Sequence, residues 1–170
     1  MQLHIAKAYE FYRDFILNYS QKKAEVYENY GFTLQGSIGS RDWEVFVAIL
    51  LDDRARPGDG ADLMNHEVKS AVIGSGFEYQ YHKNHGLEKL QEDKGVDHVF
   101  VARSHNYTEI EVWLVEREAI IPVFEAWLPS LLENYENPSR QRFRRSVSYY
   151  FVSGNGRLLM KIVDGQLHNL

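Results

Sequence analysis

Residues 66–102 constrain the fold of this chain most, because two strand patterns there enclose a helical one. Residues 66–73 alternate as a strand does, residues 87–94 have helical spacing, and residues 98–102 form a nearly continuous apolar run. Such a run is typical of a strand that is buried on both faces. Since a right-handed crossover normally joins two parallel strands, we expect residues 67–73 and 98–102 to be parallel neighbours.

The rest of the sequence adds helices before this unit and both helices and strands after it. Residues 3–30 have helical spacing up to Gly31, with a break near Ser20 as an alternative. Residues 41–51 form a second helix, for which Ser40 is the candidate N-cap. The other predicted elements are a loop at 53–62, an extended segment at 77–81, a strand at 109–115, a helix at 122–134 with Pro129 as a site for a kink, and a hairpin of 147–152 and 158–163. This order predicts an α/β fold, with a mixed central sheet flanked by helices in one domain.

Composition narrows the class of protein. The chain has 170 residues, of which 44% are hydrophobic and 25% are charged, and this balance suits one globular domain with its own core. It contains no cysteine, so disulfides, thiol catalysis and cysteine-based metal sites are excluded. No apolar stretch approaches the roughly 20 residues that a membrane span requires. We therefore expect a cytoplasmic protein without a membrane partner.

The basic side chains are concentrated near the end of the chain. The net charge is −5, yet residues 138–163 contain six basic residues and no acidic one, which leaves −11 for the remainder. Four of these six form the arginine cluster Arg140, Arg142, Arg144 and Arg145. Because phosphate affinity depends on such local clusters, the acidic total does not exclude a nucleic-acid partner. The alternative is a solvated strand face whose charge is offset by acids nearby.

One segment combines the side chains needed for metal-assisted hydrolysis. Strand alternation puts Glu67 and Lys69 on one face and Val68 on the other, and a tight turn before the strand would return Asp62 to Glu67. Two carboxylates are ligands that Mg²⁺ prefers, and a lysine can orient a water for attack on a phosphodiester. Glu44, in the preceding helix, is a further carboxylate that could reach such a metal. The alternative is an ion pair between Glu67 and Lys69 on a wet strand face.

This chain contains two segments that resemble the PD-(D/E)xK motif of a nuclease superfamily, namely Gly60-Ala61-Asp62 and Glu67-Val68-Lys69-Ser70. The resemblance implies that Asp62 and Glu67 bind Mg²⁺, that the carbonyl of Val68 is an additional ligand, and that Lys69 lies beside the attacking water. Two departures are visible, since no proline directly precedes Asp62 and the gap between the two acids is short. The short gap leaves Asp59 as an alternative first acid.

A narrower resemblance covers most of the chain. Its layout is similar to that of small homodimeric Type II restriction endonucleases of the PvuII kind. This resemblance implies dimerisation helices in residues 1–35, a catalytic core in residues 40–135 and DNA-contacting terminal strands in residues 136–170.

The same resemblance indicates which residues contact DNA. They are His82, Lys83, Asn84 and His85, together with Asn137, which precedes the terminal strands. Independently of the family, asparagine bonds to adenine, histidine donates to guanine acceptors and lysine contacts phosphates. The arginine cluster would contact further phosphates. The alternative is that both histidines are ordinary surface side chains at a strand-to-helix junction.

Five tyrosines in the first helical region leave two interpretations open. Tyr9, Tyr12, Tyr19, Tyr27 and Tyr30 suit a dimer interface, where tyrosine is enriched, and equally the core of one subunit. The core is the more common location for a helical stripe.

Together these features predict a Mg²⁺-dependent Type II restriction endodeoxyribonuclease in the cytoplasm of a prokaryotic cell. A homodimer would match the two-fold symmetry of a short palindromic site in double-stranded DNA, and each subunit would cut one strand. One alternative is a structure-specific repair or resolvase nuclease of the same superfamily. The other is a non-catalytic DNA-binding domain in which Glu67 and Lys69 only form an ion pair.

Overall fold

A computed structural model of the chain describes residues 2–34, 36–58 and 60–169. Its helices are α1 (Ile5–Phe11), α2 (Asn18–Asn29), α3 (Ser40–Leu51), α4 (Gly86–Asp93), α5 (Arg117–Glu136) and α6 (Tyr149–Asn155), and a π-helical segment (Tyr12–Leu17) joins α1 to α2. Its strands are β1 (His66–Val72), β2 (Phe77–His82), β3 (Asp97–Arg103), β4 (Ile110–Val115), β5 (Arg142–Val147), β6 (Arg157–Val163) and β7 (Gln166–His168).

The strands form a central sheet and a separate ribbon. The central sheet has the order β1-β3-β4-β6-β7, in which β1 and β3 are parallel and the other neighbours are antiparallel. The ribbon consists of β2 and β5, which pair antiparallel. The predicted parallel pairing is confirmed, because Glu67 lies opposite His98 and Lys69 lies opposite Phe100. In this order β1 is an edge strand of the central sheet.

Apolar side chains cover the central sheet on both faces. On one face, α1, the π-helical segment and α3 pack against side chains such as Val68, Val99 and Val112. On the opposite face, the ribbon and α5 pack against Phe100 and Ala102. The fold is therefore mixed α/β, with a mixed central sheet flanked by helices, as predicted. Within the described ranges, no helix has both the length and the apolar composition to cross a membrane.

The first helical region differs from the sequence prediction in where it is irregular. The alternative break near Ser20 does not occur: α2 runs from Asn18 to Asn29, and the buried Ser20 hydroxyl donates to the carbonyl of Leu17 at 2.8 Å. The irregularity is instead the π-helical segment Tyr12–Leu17. Gly31 follows α2 with φ of +75°, a left-handed conformation that favours glycine after a helix.

The predicted N-cap of α3 is off by one residue. Gly39 has the extended backbone of the N-cap, and Ser40 is the first helical residue. The Asp42 carboxylate accepts a hydrogen bond from the Gly39 N–H, at 3.3 Å, and thereby satisfies a donor at the helix start.

The start of α5 depends on a contact that is distant in sequence. The helix begins at Arg117 rather than at residue 122, and both Pro122 and Pro129 lie inside it. The Arg117 N–H donates to the Asp97 carboxylate at 3.0 Å, so a side chain of β3 caps the helix. No local pattern in the sequence indicates this cap.

The predicted C-terminal hairpin is wrong. Most of residues 147–152 belong to α6, where the Ser148 hydroxyl caps the helix by accepting from the Phe151 N–H at 3.1 Å. The strand that precedes α6 is β5, and it pairs with β2. The last long strand, β6, pairs with β4 instead of with residues 147–152.

Candidate active site

The loop before β1 brings Asp62 back to Glu67, as the motif predicts. The Asp62 N–H donates to Glu67 Oε2 at 3.1 Å, and the Val68 N–H donates to Asp62 Oδ2 at 3.1 Å. The Leu63 N–H closes the turn by donating to the His66 carbonyl at 3.0 Å. The two carboxylates therefore lie side by side at the start of β1. Asp59, the alternative first acid, is outside the described residues.

The backbone of Val68 is oriented toward this carboxylate pair. Its side chain is buried in the layer that contains α3, on the opposite face from Glu67 and Lys69, as predicted. Its N–H points away from β3, toward Asp62, because β1 is the edge strand. The carbonyl of a strand residue points to the same side as its N–H. The Val68 carbonyl therefore lies on the Asp62 side of the strand.

Two lysines neutralise the buried Glu67 carboxylate, of which only 1% is exposed. Lys69 Nζ donates to Oε1, and Lys89 Nζ donates to Oε2 at 2.9 Å. Burial by itself raises the pKa of Glu67, but the charges and hydrogen bonds of Lys69 and Lys89 outweigh it and lower this pKa below its ordinary value. Glu67 is thus held as a carboxylate in a desolvated position.

Lys89 extends the cluster to a second buried acid on its own helix. Its Nζ also donates to Asp93, four residues further along α4, and Asp93 in turn accepts from the Tyr81 hydroxyl at 2.9 Å. Burial and the Glu67 charge raise the pKa of Asp93 to about 6. Burial lowers the pKa of Lys89, yet the two carboxylates outweigh this and raise it above its ordinary value.

His98 completes the buried polar cluster from β3. Its Nε2 lies 2.8 Å from the carbonyl of Asp93, so Nε2 carries the hydrogen and Nδ1 accepts from the Tyr79 hydroxyl at 2.7 Å. Burial lowers the pKa of His98 to about 4, so the ring is neutral at pH 7. His98 therefore packs as a neutral hydrogen-bonding group between β2 and α4.

Glu44 lies close enough to Asp62 and Glu67 for their charges to affect its pKa. Burial raises the pKa of Glu44, and the charge of Asp62 raises it further. The pKa of Asp62 is raised in the same way, by burial and then by Glu67. Arg41 forms an ion pair with Glu44 at 2.8 Å. The site thus concentrates more negative charge around Asp62 than its neighbours neutralise.

The oxygen atoms at this site are of the type that hard divalent cations prefer as ligands. Asp62, Glu67 and the Val68 carbonyl provide oxygen donors, and the pKa of Asp62 is raised first by burial and then by the Glu67 charge, the second of which a bound cation would offset. Among the described residues, no three side chains of histidine or acid form a complete metal site. Mg²⁺ is usually held by one or two carboxylates together with waters and substrate phosphates, so two carboxylates match this ion in number.

The residues expected to bind DNA lie on the ribbon, in the turn between β2 and α4, and in the segment between α5 and β5. In the ribbon, His82 is opposite Arg142 and Gln80 is opposite Arg144, and all four side chains are exposed on one face. Arg145 belongs to the other side of β5, where its guanidinium stacks 4.6 Å above the Phe143 ring. The arginine cluster is therefore divided between two directions.

The turn between β2 and α4 contains the remaining polar candidates. Lys83 donates its N–H to the Gln141 carbonyl at 2.8 Å, which joins the turn to the start of β5. Asn84 and His85 are exposed, and His85 Nδ1 lies 3.5 Å from a Glu88 carboxylate oxygen.

Asn137 and Arg140 lie in the exposed segment between α5 and β5. The side-chain oxygen of Asn137 accepts from the N–H and the hydroxyl of Ser139, at 3.0 and 2.7 Å. Because the side-chain oxygen of Asn137 accepts these two hydrogen bonds within the turn, the side-chain NH₂ is the group suited to contact a base.

Sequence reasoning missed the half of the site that comes from β2, α4 and β3. Lys89 and Asp93 have the i,i+4 spacing of a helical ion pair, and this signal was present in the sequence. The alternation of Tyr79 and Tyr81 likewise indicates one buried strand face. Neither pattern reveals that α4 packs against Glu67, so the cluster was not predictable from local spacing.

Comparison with known proteins adds no assignment. No protein-family model matches the chain, and no curated protein matches it.

Proposed function

We propose that this chain is a Mg²⁺-dependent, site-specific endodeoxyribonuclease of the Type II restriction class that acts on duplex DNA. The observation that carries the proposal is the hydrogen-bonded group of Asp62, Glu67 and Lys69 at the edge of the central sheet. These are the three side chains that the PD-(D/E)xK resemblance names. They come from a loop and a strand, and they meet on the side of β1 that the ribbon and α4 adjoin.

Each member of the group has a distinct role in this proposal. Asp62, Glu67 and the Val68 carbonyl would hold Mg²⁺, and Glu44 would tune the charge around them. When bound, Mg²⁺ would stabilise charge on the phosphate oxygens and acidify a water. Lys69 Nζ, partly exposed and 5.0 Å above the Tyr79 ring, would orient that water for in-line attack. Hydrolysis would leave 5′-phosphate and 3′-hydroxyl ends.

The ribbon supports duplex DNA as the substrate. Its exposed face carries Arg142 and Arg144 beside His82 and Gln80, which combines phosphate-binding and base-reading side chains on a two-stranded surface. A ribbon of this width fits the major groove. In the proposal, Arg140, Arg142, Arg144, Arg145 and Lys83 contact phosphates, and His82, Asn84, His85 and Asn137 contact bases.

The first helical region supports a homodimer. The tyrosine stripe is divided, because Tyr12 is fully buried and donates to the Tyr107 carbonyl at 2.7 Å, whereas Tyr19 and Tyr30 are exposed. Tyr19, Val26 and Tyr30 have spacings of seven and four, which place them on one outer face of α2 and its C-terminal end. Lys23 lies on the same face, with its Nζ 4.3 Å above the Tyr19 ring, so the face combines aromatic and basic groups. In the proposal a second copy of the chain covers this face, since two copies would match a palindromic site.

Cleavage of supercoiled plasmid DNA tests the proposal. With Mg²⁺, the unaltered protein should give discrete fragments whose ends map to one short sequence. Lys69→Met should slow cleavage by at least about 10²-fold, because the water loses its orienting group, while DNA binding persists. Lys94→Met is the matched control, since Lys94 also has 22% side-chain exposure and also pairs with one carboxylate, that of Glu125. Full activity of Lys69→Met would refute the catalytic assignment.

A non-catalytic DNA-binding domain is the second candidate. It is favoured by one observation, namely that both oxygens of Glu67 already accept hydrogen bonds from lysines. The plasmid assay separates the candidates, because binding without any Mg²⁺-dependent cleavage would support the non-catalytic domain. Relaxed circles or a smear without a mapped sequence would support a structure-specific nuclease of the same superfamily instead.

A further inference from the structure

The cluster around Glu67 contains two lysines, whereas the nuclease motif accounts for one. Lys69 belongs to the motif and sits on β1 beside the carboxylate. Lys89 comes from α4, and its Nζ is shared by Glu67 Oε2, at 2.9 Å, and the Asp93 carboxylate. Both acids are almost completely buried, with exposed fractions of 1% for Glu67 and 0% for Asp93. An ammonium group between two buried carboxylates has little freedom to move.

The surroundings of the two lysines differ in a way that separates their roles. Lys69 has one carboxylate partner and the face of the Tyr79 ring, so part of its donor capacity can be directed at a water or a phosphate. Lys89 directs its donors at two fixed acids. It is therefore suited to hold a carboxylate in place rather than to contact the reacting atoms.

We propose that Lys89 is a positioning residue, which fixes the Glu67 carboxylate so that Oε1 faces Lys69 and the adjoining side of β1. This inference rests on the proposed nuclease function. Lys89 and the Asp62 N–H both occupy Oε2, so the carboxylate cannot rotate without breaking two hydrogen bonds. Side chains that orient metal ligands in this way typically affect metal affinity or activity by 10–100-fold.

Lys89 is itself held from the ribbon. Asp93 accepts from the hydroxyl of Tyr81, and Tyr81 lies in β2 next to the exposed His82. The chain Tyr81, Asp93, Lys89, Glu67 therefore connects the ribbon that is proposed to contact DNA with the carboxylate that is proposed to bind the metal. A buried network of this kind acts as a unit when each of its members is hydrogen-bonded.

Two measurements on the same variants test the role of Lys89. The first is the single-turnover cleavage rate of plasmid DNA with Mg²⁺, together with DNA affinity by fluorescence anisotropy without divalent cation. We expect Lys89→Met to lower the rate 10–100-fold while the DNA dissociation constant stays within threefold, and Lys89→Arg to give an intermediate rate. Lys94→Met, which removes a lysine of equal exposure just after α4, should keep the rate within threefold.

The second measurement is a Tb³⁺ luminescence titration of the free protein, which needs no catalysis. Lys89→Met releases the Glu67 carboxylate from its fixed orientation, so half-saturation should occur at a Tb³⁺ concentration at least tenfold higher, whereas a Lys89 that acted only by its positive charge would shift it lower. The shift should vanish in a Glu67→Gln background if Lys89 acts through Glu67. If Lys89→Met does not fold, Lys89→Arg decides by the same criterion, with a smaller shift that again depends on Glu67.

Several outcomes would overturn the inference. They are an unchanged or lower half-saturation concentration in the Lys89 variants, a shift of equal size in the Glu67→Gln background, and Tb³⁺ binding that does not depend on Glu67. If the unaltered protein does not cleave DNA, the proposed function fails, but the Tb³⁺ titration still decides whether Lys89 controls Glu67. The two failures are therefore distinguishable.

Discussion

Replacing His98 with glutamine should change how the stability of the protein depends on pH. His98 is fully buried between β2 and α4, and its pKa is lowered by burial from the ordinary 6.5 to about 4. The unfolded chain therefore takes up a proton at this residue before the folded protein does. The stability that the neutral ring provides is complete above pH 6.5 and is lost as the pH falls toward 4. Glutamine cannot be charged in this range, so the variant lacks this loss.

The magnitude follows from the size of the shift. A difference of 2.5 between the ordinary pKa and the folded-state pKa corresponds to about 3 kcal/mol at 1.36 kcal/mol per unit. At pH 7 the variant should be less stable than the unaltered protein, because it loses packing and hydrogen bonds. The gap in the free energy of unfolding should then shrink by about 3 kcal/mol between pH 7 and pH 4.

The difference between the variant and the unaltered protein has to be measured, because Asp93 titrates in the same pH range as His98. Its folded-state pKa is about 6, above the ordinary 3.8, so it stabilises the folded protein increasingly as the pH falls through this range. That contribution is also about 3 kcal/mol and has the opposite sign to that of His98. In the unaltered protein the two contributions nearly cancel between pH 6 and pH 4. Subtracting the curves of the variant and the unaltered protein removes the Asp93 contribution and isolates His98.

Urea unfolding at a series of pH values provides the measurement. Ile162→Val is the control, because Ile162 is fully buried in the apolar layer on the other face of the central sheet and does not titrate. Its cost should be the same at pH 7 and pH 4. Stability curves for His98→Gln and the unaltered protein that run parallel from pH 7 to pH 4 would refute the reasoning.

Three further predictions concern stability and binding. Gly86→Ala should destabilise the protein by about 1–3 kcal/mol in urea unfolding, because the added Cβ overlaps the hydroxyl of Tyr135. Adding Tyr135→Phe should recover part of this loss, and an equal cost of Gly86→Ala with and without Tyr135→Phe would contradict the reasoning. Tyr12→Phe should cost about 1–2 kcal/mol in the same assay, because it leaves the buried carbonyl of Tyr107 without this donor; an unchanged unfolding midpoint would contradict it. Arg142→Gln should reduce the slope of log affinity against log salt concentration by about 1 in DNA-binding titrations, and an unchanged slope would exclude a phosphate contact at this residue.

The parts of the fold that the sequence predicts are those set by short-range patterns. The parallel pairing of β1 with β3 follows from two strand patterns and the helix between them. The return of Asp62 to Glu67 follows from a short turn and strand alternation. In both cases the register of β1 matters, because a shift by one residue would turn Val68 out of the core.

The parts that the sequence does not predict depend on contacts between distant residues or on a single cap. The aromatic run at the start of α6 has strong strand propensity, yet the Ser148 hydroxyl caps it as a helix. The start of α5 depends on the Asp97 carboxylate, twenty residues earlier. The contact between Lys89 and Glu67 requires that α4, which packs against β2, bring Lys89 within reach of β1, and no spacing rule contains this. The candidate site was therefore predictable only in the half that is local in sequence.

The two faces of β2 place the proposed DNA contacts and the carboxylate cluster on one strand. Alternation directs Tyr79 and Tyr81 into the cluster, while Gln80 and His82 stay exposed on the ribbon. His82 directly follows Tyr81, so a displacement of the backbone at one residue is shared by the other. A hydrogen bond weakens over a few tenths of an ångström, and the Tyr81 hydroxyl ends 2.9 Å from the Asp93 carboxylate. The placement of β2 thus puts the side chains proposed to contact DNA and the groups that hold Glu67 on opposite faces of one strand.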